Sequence, residues 1–349
     1  MPAPAFRIQL GARGSLLTGL VLLALFAALA LLPMVGGVAA QMKQLTDFFT
    51  LLAMAQMWNL LAGYAGLVSI GQQAFIGLGA YALYAFADLG NLPVLAALAA
   101  AAIVTGVIAL LTAPFVFRLQ NGYFAVGTWV LAEVFRLIVI QFQQLGAGNG
   151  VTIQSLIRIP VAQRQSLIYW LALVVGFGSV LVVTLIMRSR VGLALTSIRD
   201  SEAAARSLGV DVFRVKLFIY LVAAVGAGIA GSVIYLQLLR IQPLAAFSVD
   251  WTAKLIFIVV IGGLGRVEGP ILGAIVFYVL QQALSQFGSL YLILLGCLAI
   301  AVVLLLPGGI AGLVARQVPT DLFGIRRRLV TVHQPDASAA VTPDPAGTA

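Results

Sequence analysis

The sequence is dominated by apolar runs long enough to cross a lipid bilayer, where a helix needs about 20 residues. Only 9% of its 349 residues are charged. Because backbone amides in a bilayer must bond within their own segment, such runs form helices. We therefore predict an all-α polytopic membrane protein with about 8–10 transmembrane helices. The apolar runs lie at 15–38, 44–63, 67–87, 92–117, 123–143, 166–187, 217–239, 253–265, 269–287 and 289–306.

The same runs give the expected domain organisation. The first run ends without a small-residue cleavage site, so we interpret it as a retained span rather than a signal peptide. We expect an N-terminal segment at 1–14, a transmembrane domain at 15–313 with a charged loop at 189–215, and a tail at 314–349. From Thr331 onwards the tail is rich in Pro, Ala, Thr and Asp, which predicts disorder.

The basic residues give the expected orientation. With the N-terminus inside the cell, 14 of the 20 Lys and Arg residues fall on the cytoplasmic side and four fall outside. Cytoplasmic loops collect Lys and Arg, so we expect both termini and the charged loop to be cytoplasmic. The same rule explains the net charge of +9 without nucleic acid as a partner.

Two glycine-rich segments, 63–81 and 261–274, are not typical of simple spans. The second also contains Pro270 and two charged residues. Glycine permits close helix packing, and it also permits broken or re-entrant helices where the backbone lines a protected cavity. The sequence leaves both interpretations open.

The charged loop is expected to contain one short helix. Ser197 and Asp200 fit a helix start, with a serine oxygen on a backbone amide and a carboxylate at the positive end of the dipole. Gly209 is expected to end the helix in the left-handed conformation. Glu202 and Arg206 have the spacing of an i,i+4 ion pair.

One face of this helix carries a narrow stripe of mostly small residues. Such a stripe is too small to anchor the helix in lipid, but it lets the groups of a protein partner come close. A solvated connector is the alternative, because a loop of this length needs charge to stay in water. The stripe consists of Ile198, Ala204, Ala205 and Leu208.

The stretch IRDSEAAARSLGVDVFRVK resembles the cytoplasmic coupling loop of ABC importer permeases, and is most similar to that of branched-chain amino acid permeases of the LivM type. In that family the short helix docks into a cleft of the ATPase subunit. The family pattern, approximately I-R-x-x-E-x-A-A-x-x-x-G, is matched by Ile198, Arg199, Glu202, Ala204, Ala205 and Gly209. The resemblance implies an ATPase-coupling role for Ile198, Arg199, Asp200, Glu202, Ala204, Ala205, Leu208 and Gly209.

Further segments are similar to the same family in the same order, from about residue 58 to 313. They read WNLLAGYAGLVSIGQQAFIGLGAY, NGYFAVGTWVLAEVFRL, GAGNGV, IVVIGGLGRVEGPILGA and LPGGIAGL. Gln72 stands where the family often has His, and Leu67 where it often has Gln. These departures leave the solute open, because related permeases carry urea, short amides or aromatic acids.

The resemblance implies a permease subunit of an ABC importer in the bacterial inner membrane. Its implied partners are a homologous second permease, two P-loop ATPase subunits, a periplasmic solute-binding protein and membrane lipid. The sequence contains no G-x-x-x-x-G-K-[ST], so ATP is expected on the partner subunits and no cofactor on this chain.

The sequence offers little for catalysis. Its single cysteine, Cys297, and single histidine, His333, cannot build a metal site. No histidine lies near a nucleophile, so we expect a transport subunit rather than an enzyme.

Polar residues within the apolar runs are the candidates for a translocation pathway. Ser69 and Gln72 are spaced to share one helix face, with Gln73 beside them. Glu133 and Arg136 are costly in a bilayer, and they either pair with each other or meet a passing solute. The candidates are Asn59, Ser69, Gln72, Gln73, Tyr81, Tyr123, Thr128, Glu133 and Arg136, with interhelical hydrogen bonding as the alternative role.

Two further expectations concern the ends of the spans and a rival function. Asp47, Asp250 and Lys254 fall near predicted outer ends, as interfacial anchors or contacts for a solute-binding protein.

The rival function is that of an autonomous secondary transporter or channel. It would have paired membrane carboxylates or broken helices in matched halves, whereas here only Glu133 lies deep in a run.

Overall fold

The computed structural model describes residues 5–10, 12–35, 37–120, 122–284, 290–306, 308–317, 323 and 327–332. Helices account for most of this part of the chain, so the all-α prediction is confirmed. The helices are α1 (Ala12–Ala30), α2 (Ala39–Asn59), α3 (Gln73–Tyr84), α4 (Val94–Val116), α5 (Gly122–Gln141), α6 (Gln154–Ile157), α7 (Val161–Arg188), α8 (Arg190–Asp200), α9 (Glu202–Ser207), α10 (Val212–Leu238), α11 (Pro243–Ala246), α12 (Val249–Gly262), α13 (Glu268–Leu284), α14 (Leu290–Leu305) and α15 (Gly309–Gln317).

Each of the ten predicted apolar runs coincides with one of these helices. Among the described residues, five helical stretches are long and apolar enough to cross a membrane on their own. They are α4, α5, α7, α10 and the stretch Pro243–Gly262, which joins α11 and α12. Shorter apolar stretches cover Thr18–Met34 and Glu268–Leu284.

The chain divides into two compact units, with the boundary inside α1. The smaller unit holds residues 1–22 and 320–349, and in it strand β1 (Ala5–Leu10) pairs antiparallel with strand β4 (Arg327–Val332). Thr331 and Val332, where the predicted disordered tail begins, form the end of β4, and Val and Thr suit an extended strand. Residues 333–349, with His333, lie outside the described part.

The larger unit holds residues 23–319 and the helices that follow α1. A short antiparallel pair joins strand β2 (Val151–Thr152) to strand β3 (Arg240–Ile241). The last helix, α15, reaches Gln317, four residues beyond the predicted end of the transmembrane domain at 313.

Both glycine-rich segments are interrupted helices, as one of the two interpretations predicts. After α2 and one π-helical turn at Leu60–Tyr64, residues 65–72 leave helical structure before α3 begins. The chain leaves helical structure again at 263–267, between α12 and α13. Helix α3 has 12 residues and continues directly into a five-residue π-helical turn at Ala85–Leu89.

The other interpretation, close packing, is also right for the first segment. Residues 73–83 of α3 are all buried, and α10 packs along the helix. A side chain on Gly79 would collide with the carbonyl group of Gly228 on α10. The Ser232 hydroxyl donates a 2.9 Å hydrogen bond to the Gly79 carbonyl oxygen. The glycines thus place α3 at the centre of the larger unit.

Candidate functional site

The charged segment, residues 189–215, contains two helices instead of the single predicted one. Helix α8 ends at Asp200, and Ser201 adopts an extended backbone with φ −161° and ψ 110° before α9 begins. Ser201 is the N-cap of α9, since its Oγ accepts a 3.2 Å hydrogen bond from the amide of Ala204. The prediction that Ser197 caps the helix is wrong, because its hydroxyl donates to the Ala194 carbonyl oxygen within α8.

The break between α8 and α9 divides the predicted stripe of small residues. Ile198 and Ala205 are buried and form a cluster with Val212 at the start of α10. Ala204 and Leu208 point outward, and the Leu208 side chain is 80% exposed. One face of α9 therefore packs on its own chain, and the other presents an unpartnered leucine. Gly209, with φ +83°, ends this stretch in the left-handed conformation as predicted.

Ion pairs attach α9 to α10. Glu202 receives hydrogen bonds of 2.6 Å from Arg206, as predicted, and from Lys216, whose side chain is only 16% exposed. The hydrogen bond from Lys216, followed by the charges of Lys216 and Arg206, holds the pKa of Glu202 below its ordinary value. Lys216 was missed by sequence reasoning, because no local periodicity links positions 14 residues apart.

Arg199 extends from α8 to the interrupted helix after α2. Its Nη1 donates a 3.2 Å hydrogen bond to the carbonyl oxygen of Gly63. The backbone of Gly265 lies beside the same guanidinium, so a side chain there would approach Arg199 Nη1 to 3.1 Å. Arg199 thus contacts both interrupted segments. Asp200, its neighbour, is 3.6 Å away as a loose ion pair.

The two interrupted segments are also fastened to each other by side chains of α2. Asn59 accepts a 2.9 Å hydrogen bond from the amide of Gly265 and donates one of 2.8 Å to the Arg266 carbonyl oxygen. Gln56 Nε2 donates a 2.9 Å bond to the Val267 carbonyl oxygen. Asn59, a pathway candidate from the sequence, is fully buried in this junction. Gln56 was missed, since nothing in its local sequence indicates the distant loop.

Three pathway candidates on or beside α3 have buried polar atoms without a hydrogen-bond partner among the described residues. Gln72 Nε2 donates a 3.2 Å bond to the Ala223 carbonyl oxygen, while its Oε1 is unpartnered. Gln73 Oε1 accepts from the Thr252 hydroxyl, while its Nε2 is unpartnered. Tyr81 stacks on Phe247, and its hydroxyl group is also unpartnered. Such atoms are uncommon in folded proteins, so these three side chains are candidate contacts for a polar group.

Ser69 and Thr128 organise the irregular stretch at 65–72. Trp58 Nε1 donates a 2.8 Å hydrogen bond to the Ser69 carbonyl oxygen, and Thr128 Oγ1 accepts one of 3.2 Å from the amide of Ile70. Ser69 and Gln72 do not share a helix face as predicted, because the chain is not helical before Gln73. Ser69 and Thr128 thus hold the backbone that leads into α3, and Thr128 does so from α5.

The remaining candidates lie on α5. Glu133 and Arg136 form an ion pair with each other, and the Glu133 side chain is 48% exposed. Tyr123, at the start of the same helix, is 78% exposed. These three residues are therefore on the outside of the larger unit, whereas Gln72, Gln73 and Tyr81 are inside it. The structure thus separates the predicted pathway residues into buried and exposed ones and does not bring them to one site.

The sequence matches one protein family and is similar to several known proteins. The family that matches residues 41–303 is described as branched-chain amino acid transport system / permease component. The high-affinity branched-chain amino acid transport system permease protein LivM is 25% identical over 278 residues in Salmonella typhimurium and 27% identical over 284 residues in Escherichia coli K12. Each match covers 72% of this chain and 65% of the relative, so the chain spans about two thirds of the length of these curated relatives.

A more distant similarity covers a smaller part of the chain. The ribose import permease protein RbsC of Haemophilus influenzae is 29% identical over 121 residues, which are 33% of this chain and 38% of the relative. No solved structure matches this chain significantly.

Proposed function

The chain belongs to the permease family of branched-chain amino acid transport systems, and on that premise we propose that it is the membrane-spanning subunit of an ABC importer. The proposed reaction is inward movement of branched-chain amino acids across the bacterial inner membrane, driven by ATP hydrolysis on separate subunits. The proposed partners are a homologous second permease, two P-loop ATPase subunits and a periplasmic solute-binding protein. Both termini and the charged segment face the cytoplasm in this proposal, as the distribution of Lys and Arg favours.

The observation that carries this proposal is the two-sided character of α9. Its inner face, with Ala205, is fixed to α8 and α10, while Leu208 on the other side is 80% exposed. A single exposed leucine is ordinary on a protein surface, so Leu208 supports a docking surface only together with the coupling-loop motif around it. A cleft on an ATPase subunit is the partner that the sequence motif favours.

Arg199 and the ion pairs of Glu202 connect that surface of α9 to the membrane-spanning helices. In the proposed cycle, ATP closes the ATPase dimer, and the clefts carry α9 and α8 with them. Arg199 then acts on the junction of Gly63 and Gly265, where two helices are already interrupted. The result is a shift of population between inward-facing and outward-facing states.

Gln72, Gln73 and Tyr81 are the proposed contacts for a polar solute, because each keeps a buried polar atom free. Glu133 and Arg136 lie on the outer face of α5, where a second permease subunit is the proposed neighbour. The departure of Gln72 from the family pattern keeps urea, short amides and aromatic acids as alternative solutes.

Transport in reconstituted vesicles tests this function. The chain is purified with its native neighbours and placed in liposomes with ATP inside, and uptake of labelled leucine, isoleucine, valine, urea and phenylacetate is measured. We expect ATP-dependent uptake of a branched-chain amino acid. Uptake by the chain alone, without ATPase subunits or ATP, would support the secondary transporter instead and contradict the proposal.

A further inference from the structure

A groove of about 530 Å³ opens on the larger unit between α12, α13 and α14. Phe257 and Phe277 form one wall, in edge-to-face contact with 5.6 Å between ring centroids. Gly296 and Ala299 line the groove from α14. A side chain at position 296 would point into open space. Along α12 it runs from Asp250 to Val260, a distance of roughly 15 Å. The groove is long, narrow and apolar, and α12 belongs to a predicted membrane span.

Two opposite charges, one helical turn apart, lie at the end of the groove where α12 begins. Asp250 and Lys254 are the charged residues of the lining, and neither forms a salt bridge or side-chain hydrogen bond with a described residue. Asp250 and, less strongly, Asp47 lie close enough to interact with the Lys254 charge electrostatically. The Lys254 ammonium is 5.0 Å from the ring centroid of Trp251.

Trp251 indicates the depth of these charges in the membrane. Its Nε1 donates a 3.0 Å hydrogen bond to the Ala245 carbonyl oxygen, and tryptophan is enriched where the hydrocarbon meets the head groups. Asp250 and Lys254, one residue before it and three after it, are therefore placed at the head-group level. Charged side chains at that level are within reach of the phosphate and ammonium groups of lipid head groups.

We propose that this groove is a binding site for one phospholipid with an ethanolamine head group. One acyl chain lies along Phe257, Phe277 and Ala299. The phosphate pairs with Lys254, and the primary ammonium group of the lipid pairs with Asp250. A zwitterionic head group matches this pair of opposite charges, whereas a purely anionic one leaves Asp250 unpaired beside a second negative charge. This site is independent of the solute that the protein carries.

Photo-crosslinking identifies the occupant in the membrane itself. A photoreactive amino acid replaces Ile300, which lines the groove from α14, and cells expressing the full chain are irradiated. Mass spectrometry of the purified chain then reveals what was captured. We expect an adduct with the mass of phosphatidylethanolamine. An adduct only with a polypeptide would mean that a protein neighbour fills the groove, and would overturn the proposal.

Native mass spectrometry with defined lipids tests the head group and the groove separately. The purified complex is stripped of lipid and titrated with phosphatidylethanolamine, phosphatidylglycerol or phosphatidylcholine. Lys254→Gln and Asp250→Asn should each weaken phosphatidylethanolamine binding about fivefold, and Ala299→Phe should abolish it by filling the groove. The controls Lys43→Gln and Val107→Phe, which lie outside the groove, should bind as the unaltered chain does. Equal affinity for phosphatidylglycerol, or unchanged binding in Ala299→Phe, would contradict the site.

Discussion

Arg199 Nη1 donates a 3.2 Å hydrogen bond to the carbonyl oxygen of Gly63, which joins the charged segment to the end of α2. The residues are 136 positions apart, and the acceptor lies where the helix has already changed to a π-helical turn. The Arg199 side chain is 45% exposed, so the contact contributes little to stability. Its importance in our account is mechanical, because it connects the proposed ATPase surface to an interrupted span.

Replacing Arg199 should therefore uncouple transport without unfolding the protein. We expect Arg199→Gln to lower ATP-dependent uptake at least about fivefold, with the same unfolding temperature and the same recovery of partner subunits. Arg214→Gln is the matched control, since the Arg214 side chain is 85% exposed and, among the described residues, pairs only with Asp211. Equal uptake in the two variants would show that the Arg199 contact does not transmit motion.

Because α3 packs closely against α10, a glycine at their contact should not be replaceable without a loss of stability. Gly79→Ala should destabilise the protein by about 1–3 kcal/mol, because the new methyl group meets the backbone carbonyl of Gly228, which cannot move aside. Gly178→Ala on α7, which has open space around it, should leave stability unchanged or raise it by up to about 1 kcal/mol, because alanine suits a helix interior better than glycine. Thermal unfolding of both variants in detergent measures the difference. A Gly79→Ala variant as stable as Gly178→Ala would contradict the packing.

The neighbouring glutamines should respond differently to the same substitution. Gln73→Leu removes the acceptor of the buried Thr252 hydroxyl group and should cost about 1–3 kcal/mol of unfolding free energy. Gln72→Leu removes a donor whose acceptor, the Ala223 carbonyl oxygen, lies within helix α10, so the cost should be smaller. Gln72→Leu should still alter solute preference or rate. Unchanged uptake kinetics across several solutes would remove Gln72 from the pathway.

Stability should depend on pH through Glu202. Its hydrogen bond to Lys216 lowers the pKa of Glu202 below the ordinary value of 4.5. A carboxyl group with a lowered folded-state pKa stabilises the protein above pH 4.5, and the contribution is lost as the pH falls through the lowered pKa. We expect Glu202→Gln to unfold at a lower temperature than the unaltered chain at pH 7, with the difference closing at low pH. A difference that stays constant from pH 7 to acid conditions would exclude this ion pair as its source.

The sequence was sufficient for the features that depend on local pattern. The length of the apolar runs predicted the helices, and the left-handed stop at Gly209 and the pair of Glu202 with Arg206 follow from spacing along one helix. Glycine spacing marked the two segments as unusual but left close packing and interruption both open, and it did not indicate that the segments meet.

The features that the sequence did not reveal depend on the tertiary fold. The hydrogen bonds of Asn59 and Gln56 join positions more than 200 residues apart. The break at Ser201 lets Ile198 and Ala205 pack together on Val212 of α10, a contact that the pattern of one continuous helix does not predict. That break decides which residues face outward, so the sequence alone gave the wrong surface for Ala205.

Recovery of partner subunits with a variant of the exposed leucine tests the central claim most directly. The chain is expressed with its native neighbours, extracted in mild detergent, and analysed by mass spectrometry as the unaltered protein, as Leu208→Arg, and as Gln163→Arg, a charge added to an exposed position on α7. We predict that P-loop ATPase subunits copurify with the unaltered chain and with Gln163→Arg, and are lost from a folded Leu208→Arg variant. A chain that purifies without ATPase subunits and still transports after reconstitution by itself would contradict the account.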